Sequence, residues 1–172
     1  MHALLKKLLE EEHSKKQKDI IVKEILTDKI PLKSLIKVIH SNNGIYAQRG
    51  AYVITGLHDE APHLLTQYIP ELLDSIKPDS HQAIPRAVYR YLTEADIPED
   101  FEGELFEKGM QQFISKKTPI AVKAHLMTIL TRISIKYPEL QHEVIFAIKD
   151  QLPDSSKGYQ SRANRELKIL KA

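Results

Sequence analysis

The chain of 172 residues contains no cysteine and no tryptophan, and it has only six glycines. Without cysteine it has no disulfide, no thiolate nucleophile and no cysteine-ligated zinc. This composition suits a reducing compartment, so we expect a cytoplasmic protein. A long apolar run is also missing from the start, where residues 1–12 are charged every few positions. The start therefore predicts an amphipathic helix, and neither a signal peptide nor a membrane partner is expected.

Motifs for catalysis are equally scarce. The sequence has no glycine-rich phosphate loop, Walker-type lysine or nucleophile elbow. Its densest carboxylate run, residues 99–104, is typical of a solvated helix start and not of a desolvated acid/base pair. His58 and His63 flank two carboxylates but lack the His-Glu-x-x-His spacing, which favours a solvated helix-start turn over a metal site. We therefore predict no enzyme activity, no catalytic residue, no metal site and no cofactor.

What the sequence does have is a repeat. Four apolar, helix-like segments each place a cation before a glycine or alanine, and successive cations are 37, 37 and 39 residues apart. These cations are Arg49, Arg86, Lys123 and Arg162. A period of this length is typical of helical-pair repeats and exceeds that of tetratricopeptide or ankyrin units.

A second apolar stripe repeats with the same period, as the partner helix of each pair requires. One set of positions recurs after 37, 38 and 38 residues, namely Leu35, Leu72, Met110 and Ile148. Tyr68, Phe106 and Val144 each precede a member of that set by four residues, which is the spacing of one helix face. Pro70 and Pro85 lie inside predicted helices and should kink them or mark a late start.

The helix with a cation and a small residue, followed by a turn and a new apolar helix, resembles the HEAT repeat over residues 31–170. This resemblance implies an all-α, right-handed, HEAT/armadillo-like α-solenoid of about four helix pairs. We predict a single domain over residues 1–172, in which residues 1–30 form N-terminal capping helices and residues 31–172 form the repeats. Solenoids of this kind usually make binding surfaces and not catalytic pockets.

The C-terminal third also resembles a group of short bacterial helical-repeat proteins of unestablished function. The resemblance is carried by residues 121–128, the Lys136-Tyr137 turn and residues 150–163. Some members of that group carry the label adenylosuccinate lyase. Those lyases use a Ser-Ser-x-Met-Pro-x-Lys-x-Asn-Pro loop, whereas Ser155-Ser156 is followed here by Lys157-Gly158. The label is therefore unsupported for this chain, and lyase activity is not expected.

The four repeated cations allow two interpretations. Each side chain can pack along its stem while its charged group bridges neighbouring helices, a task that suits the fork geometry of arginine. Alternatively, the four can project in a ladder toward an anionic ligand. The small residue that follows each cation favours the structural interpretation, because it implies close contact between helices at that height.

Charge is segregated between the two helices of each predicted pair. The second-helix segments 44–57, 80–94, 118–136 and 156–171 sum to +9, and the first-helix segments 60–77, 99–114 and 138–152 sum to −8. Second helices of HEAT-type solenoids usually line the concave side, so a basic inner face is expected. The predicted contact residues on that face are Arg90, Arg132, Arg165 and Lys168.

A basic face of this kind attracts anionic partners. We favour a non-catalytic scaffold that binds an acidic protein segment on the concave side. The alternative is a nucleic-acid-binding protein related in architecture to the HEAT-like DNA glycosylases of alkylation repair. The absence of tryptophan and of an aspartate among the second-helix cations argues against repair catalysis, but binding to the phosphate backbone stays open.

Overall fold

Helices connected by turns make up the described part of the chain. The computed structural model describes residues 2–41, 44–153 and 155–171, and within these ranges no strand is found. The α-helices are α1 (Ala3–Glu11), α2 (Lys15–Leu26), α3 (Leu32–Ile39), α4 (Gly44–Glu60), α5 (Ile69–Asp74), α6 (Ala83–Leu92), α7 (Glu99–Ile114), α8 (Ile120–Lys136), α9 (Gln141–Asp150) and α10 (Lys157–Ile169). Two 3₁₀-helices span Pro62–Tyr68 and Pro138–Leu140. The predicted all-α class is confirmed.

The helices fall into two compact units, which we call the N-terminal unit (Met1–Asp96) and the C-terminal unit (Ile97–Ala172). The repeat period continues across this boundary without interruption, and the single domain with its right-handed sense stays a prediction. Among the described residues, no helix combines the length and the apolar content that a membrane span requires.

Helix starts follow the proline and serine signals of the sequence. The Ser14 hydroxyl accepts a hydrogen bond from the Gln17 N–H at 3.0 Å and caps α2. Pro70 lies in the first turn of α5 and Pro85 in the first turn of α6. Both prolines therefore mark late starts, since a missing N–H is tolerated in the first turn of a helix.

The N-terminal unit is built around α4, which contacts α1, α2, α3, α6 and the first 3₁₀-helix. Its two internal glycines permit close approach on two sides. A Cβ atom at Gly56 would lie 2.7 Å from the Val22 side chain of α2, and one at Gly50 would lie 3.2 Å from Val38 of α3. The backbone of α4 therefore packs directly against its neighbours.

The C-terminal unit is built around α8, which contacts α7, α9, α10 and the second 3₁₀-helix. The middle of α8 is fully buried at Leu126, Met127, Ile129 and Leu130. A helix that is apolar around most of its circumference belongs in a core. The small residue at this contact lies on the neighbouring helix, where Gly109 of α7 faces Leu126 and Leu130.

The repeat predicted from the cations corresponds to equivalent helices. Arg49, Arg86, Lys123 and Arg162 lie on α4, α6, α8 and α10, the second members of four successive helix pairs. The pairs are α3 with α4, α5 with α6, α7 with α8, and α9 with α10, and α1 and α2 precede them. The predicted spacing of the helical pairs is confirmed.

Candidate basic binding surface

Three of the four predicted contact residues lie in the C-terminal unit, on two helices that pack together. Arg132 is on α8, and Arg165 and Lys168 are on α10; all three side chains are exposed. Arg165 and Lys168 are three residues apart, so they share one helix face. Arg132 lies one turn after Thr128 on α8, and the Thr128 side chain bonds Glu166 of α10. We call Arg132, Arg165 and Lys168 the C-terminal basic surface.

A buried carboxylate anchors the contact between α8 and α10. The Thr128 hydroxyl donates to Glu166 Oε1 at 2.7 Å and accepts a hydrogen bond from Arg162 Nη1 at 2.9 Å. Arg165 Nη2 donates to the same Glu166 oxygen at 2.8 Å. A buried carboxylate requires partners of this kind, because an unpaired charge in the interior is strongly unfavourable.

The ion pair between Arg165 and Glu166 differs sharply in the exposure of its two ends. The Glu166 side chain is 2% exposed, and the Arg165 side chain is 57% exposed. A guanidinium has five N–H donors in a fixed plane, so the bond to Glu166 leaves others directed away from it. Glu166 thus holds the Arg165 guanidinium in place while more than half of the side chain remains exposed to solvent. Arg162, by contrast, is half-buried and bonds inside the interface.

Lys168 differs from Arg165 because nothing in the described ranges restrains it. Its side chain is exposed, and no ion pair or hydrogen bond of its ammonium group occurs there. The α10 part of the surface therefore combines one guanidinium in a fixed position with one ammonium group that has no such restraint.

Arg90 lies in the N-terminal unit and has a local partner. Its Nη2 atom is 2.6 Å from Asp59 Oδ1, which joins α6 to the end of α4. Both side chains are about half exposed. We therefore describe Arg90 by itself, and its role in binding stays a prediction.

Three of the repeated cations donate hydrogen bonds to neighbouring elements. Arg49 bonds the Leu9 carbonyl at the end of α1, and Lys123 Nζ lies 2.6 Å from Gln151 Oε1 just after α9. Arg162 bonds Thr128, as described above. Burial lowers the pKa of Lys123. Arg86 is exposed and makes no such bond among the described residues, and whether these four cations bind a ligand stays a prediction.

The turn around His58 differs from the helix start that was predicted there. His58, Asp59 and Glu60 end α4 and do not start a helix, so the expected stabilisation by a helix N-terminus does not apply to the two carboxylates. His58 is also buried, with its Nε2 atom 3.8 Å from a Glu94 carboxylate oxygen. Along the last turn of α4, Leu57 and His58 are buried, whereas Asp59 and Glu60 are exposed to solvent.

The acidic start of α7 is solvated as predicted except at one position. Glu102 is buried, and it accepts hydrogen bonds from Lys136 Nζ at 3.0 Å and from the Tyr137 hydroxyl at 2.9 Å. Lys136 also lies 2.9 Å from Glu99. The hydrogen bonds to Glu99 and Glu102 raise the pKa of Lys136, and the bond to Glu102 raises that of Tyr137. This cluster ties the end of α8 to the start of α7.

The sequence analysis did not predict the hydrogen bond between Thr128 and Glu166. The two residues are 38 positions apart, which is one repeat length, and this separation could have indicated their contact. Residues one repeat apart occupy equivalent places on stacked helices and can meet directly.

Within the described ranges, no group of histidines and carboxylates is arranged to hold a metal ion. Exposed cations such as those of the C-terminal basic surface can pair with anionic groups.

Comparison with known proteins agrees with the helix pairing. A family model described as a HEAT repeat domain matches residues 5–169, nearly the whole chain. No curated protein and no solved structure matches the sequence of this chain. The predicted resemblance to HEAT repeats is confirmed, and the chain belongs to the HEAT repeat family.

Proposed function

We propose that the chain is a non-catalytic protein-interaction scaffold whose C-terminal basic surface binds an acidic segment of a partner protein. HEAT repeats are generally protein-interaction scaffolds. The observation that carries the proposal is the Arg165 guanidinium, which a buried Glu166 fixes in an exposed position. Pre-organised arginine loses little freedom on pairing with a carboxylate, and its planar fork matches that group. The cysteine-free composition further supports a reducing compartment such as the cytoplasm.

The composition of α10 adds to this support. Its cations outnumber its carboxylates, and the single glutamate of α10 is the buried Glu166, whose charge is already paired. Within α10, the exposed charged side chains are therefore all positive. A cluster of one sign raises the local concentration of oppositely charged partners and speeds their association.

An acidic protein segment fits this surface better than a nucleic-acid strand. Proteins that bind single strands stack bases on exposed aromatic rings. Helix α8 contains no phenylalanine, tyrosine or tryptophan, and the one aromatic residue of α10, Tyr159, is buried. Binding to the phosphate backbone of a duplex requires no stacking, so duplex DNA serves as the competing ligand in the test.

The test compares two charge-matched double variants. Arg165→Gln with Lys168→Gln removes two cations of the surface, and Lys116→Gln with Lys117→Gln removes two exposed cations from the turn between α7 and α8. The probe is a fluorescein-labelled dodecapeptide of glutamates, titrated by anisotropy over a range of salt concentrations. We expect the surface variant to bind several-fold more weakly with a flatter salt dependence, and the control variant to bind as the parent does.

Two outcomes would overturn the proposal. Equal weakening in both double variants would show a response to net charge alone. Tighter binding of a mixed-sequence 12-bp duplex than of the peptide, with a steep salt slope, would favour the nucleic-acid alternative. A separate assay addresses catalysis: we expect no release of fumarate from adenylosuccinate by the purified chain.

A further inference from the structure

A groove with a volume of about 310 Å³ opens in the N-terminal unit between α3 and the end of the first 3₁₀-helix. Its lining is mostly apolar. Ile36, which is buried on α3, and Tyr68, which is half-buried on the 3₁₀-helix, contribute side chains to it. Small-molecule sites typically measure about 300–1,000 Å³ and combine an apolar lining with a few polar groups. The groove is therefore large enough for a small organic molecule.

Two lysines on α3 give this groove a positive rim. Lys33 and Lys37 both line it, and their spacing of four residues places them on one helix face. Both side chains are exposed, and neither has an ion pair or a hydrogen-bond partner for its ammonium group in the described ranges. The two charges are free to bind a ligand.

His40 and Glu71 also line the groove and contact each other. His40 Nε2 donates to the Glu71 carbonyl at 2.8 Å, and His40 Nδ1 lies 3.7 Å from an Asp74 carboxylate oxygen. These contacts engage His40 with α5 and keep the two walls of the groove together. Glu71 contributes the one carboxylate among the lining residues. The formal charges of Lys33, Lys37 and Glu71 therefore sum to +1.

We propose that this groove binds a small organic anion with an apolar body and a single carboxylate, sulfonate or phosphate head. The apolar body lies between Ile36 and Tyr68, and the head pairs with Lys33 and Lys37. This site shares no residue with the C-terminal basic surface, because its residues belong to the N-terminal unit. A volume near the lower limit of ligand sites suits such a molecule better than a folded protein element.

The probe for this site is 8-anilinonaphthalene-1-sulfonate, a dye with an aromatic body and one sulfonate whose fluorescence rises in apolar surroundings. Its uncharged analogue, N-phenyl-1-naphthylamine, reports the apolar contribution alone. The test variant is Lys33→Gln with Lys37→Gln, and the control is Lys15→Gln with Lys16→Gln, which removes two exposed lysines from the start of α2 in the same unit. Urea denaturation of each variant verifies that the fold is retained.

We expect the test variant to bind the anionic dye roughly two- to thirtyfold more weakly, as two exposed ion pairs predict, and the control to bind it as the parent does. Tyr68→Ala should weaken both dyes, since it removes the wall that the aromatic body contacts. Unchanged affinity in the test variant would overturn the proposal. So would equal parental affinity for the two dyes, displacement of the dye by inorganic sulfate at comparable concentrations, or tighter binding of the glutamate dodecapeptide at this site.

Discussion

Helices α4 and α8 are each the centre of their own unit, yet they achieve close packing by opposite means. Both are 17 residues long. Helix α4 carries its own glycines, and α2 and α3 approach its backbone at those points. Helix α8 has no glycine and surrounds itself with large apolar residues, while α7 provides the glycine at the contact. The same repeat thus tolerates the small residue on either partner.

The two units also use their arginines differently. In the N-terminal unit, Arg90 pairs with Asp59, and both ends of the pair are partly solvated. In the C-terminal unit, Arg165 pairs with the fully buried Glu166. An exposed pair contributes little and can exchange partners easily, whereas a pair with one buried end is held in place. The partner of each cation therefore decides which arginine is suited to a fixed recognition role.

The largest effect is expected when one buried leucine in each central helix is replaced by alanine. Leu126→Ala in α8 and Leu57→Ala in α4 each remove a fully buried side chain. Each should lower the free energy of unfolding by about 2–5 kcal/mol, from lost burial and the cavity that remains. If the chain is one domain, both variants should shift a single unfolding transition in urea, followed by circular dichroism. A variant that shifts only part of a biphasic transition would contradict the single-domain prediction.

The next comparison replaces a glycine by alanine in each unit, and the free energy of unfolding should change in opposite directions. Gly56→Ala places a Cβ 2.7 Å from the stiff, buried Val22, and overpacking of about 1–3 kcal/mol exceeds a helix-propensity gain of about 1 kcal/mol. Gly109→Ala places a Cβ at an ordinary 3.4 Å from both Leu126 and Leu130, so the propensity gain of up to about 1 kcal/mol should prevail. Urea midpoints measure both. Stabilisation by Gly56→Ala would disprove the close approach of α2 and α4.

The smallest effect concerns two buried tyrosines. The Tyr159 hydroxyl has no hydrogen-bond partner in the described structure, whereas the Tyr91 hydroxyl bonds Thr66 at a long 3.4 Å. Tyr159→Phe should therefore stabilise the protein by about 1 kcal/mol, and Tyr91→Phe should cost about 0.5 kcal/mol. Unfolding free energies at neutral pH measure this difference. Destabilisation by Tyr159→Phe would show that its hydroxyl has a partner.

The pH dependence of the same variant supplies an independent check. Burial raises the pKa of Tyr159 from an ordinary value of 10.0 to about 12. The folded protein therefore holds this proton more tightly than the unfolded chain does, and stability should fall as the pH rises from 10 to 12. Subtracting the profile of Tyr159→Phe from that of the parent removes the shared titration of the lysines. A flat difference across this range would contradict the raised pKa.

Much of the fold follows from the period of the sequence, because helices that stack as repeats must repeat their apolar positions. The least regular part is residues 60–77, where Pro70 was expected to kink the helix or mark a late start. The structure has a 3₁₀-helix over Pro62–Tyr68 followed by a short α5 that begins next to this proline. Pro70 has no N–H and cannot donate to the carbonyl four residues earlier, so a regular α-helix cannot run through this position unbroken. The helix is therefore interrupted ahead of this proline.

The candidate site could be predicted only in part. Exposed cations on α8 and α10 follow from helix periodicity. The pairing of Arg165 with Glu166 does not, because adjacent residues on a helix normally point in different directions. Their contact depends on Thr128 of α8, which fixes the Glu166 carboxylate from the other side. Likewise, the groove joins α3 to residues about 30 positions further along the chain, a closeness that no local pattern indicates.

The most direct test of the proposed surface is an NMR titration of the ¹⁵N-labelled chain with the glutamate dodecapeptide. If the C-terminal basic surface is the binding site, the largest amide shifts should cluster on α8 and α10 around Arg132, Arg165 and Lys168. The same shifts should be small in the double variant Arg165→Gln with Lys168→Gln. Shifts that concentrate on α6, on the α3 groove or around Glu99 to Glu107 of α7, with α10 unaffected, would contradict the proposed binding site.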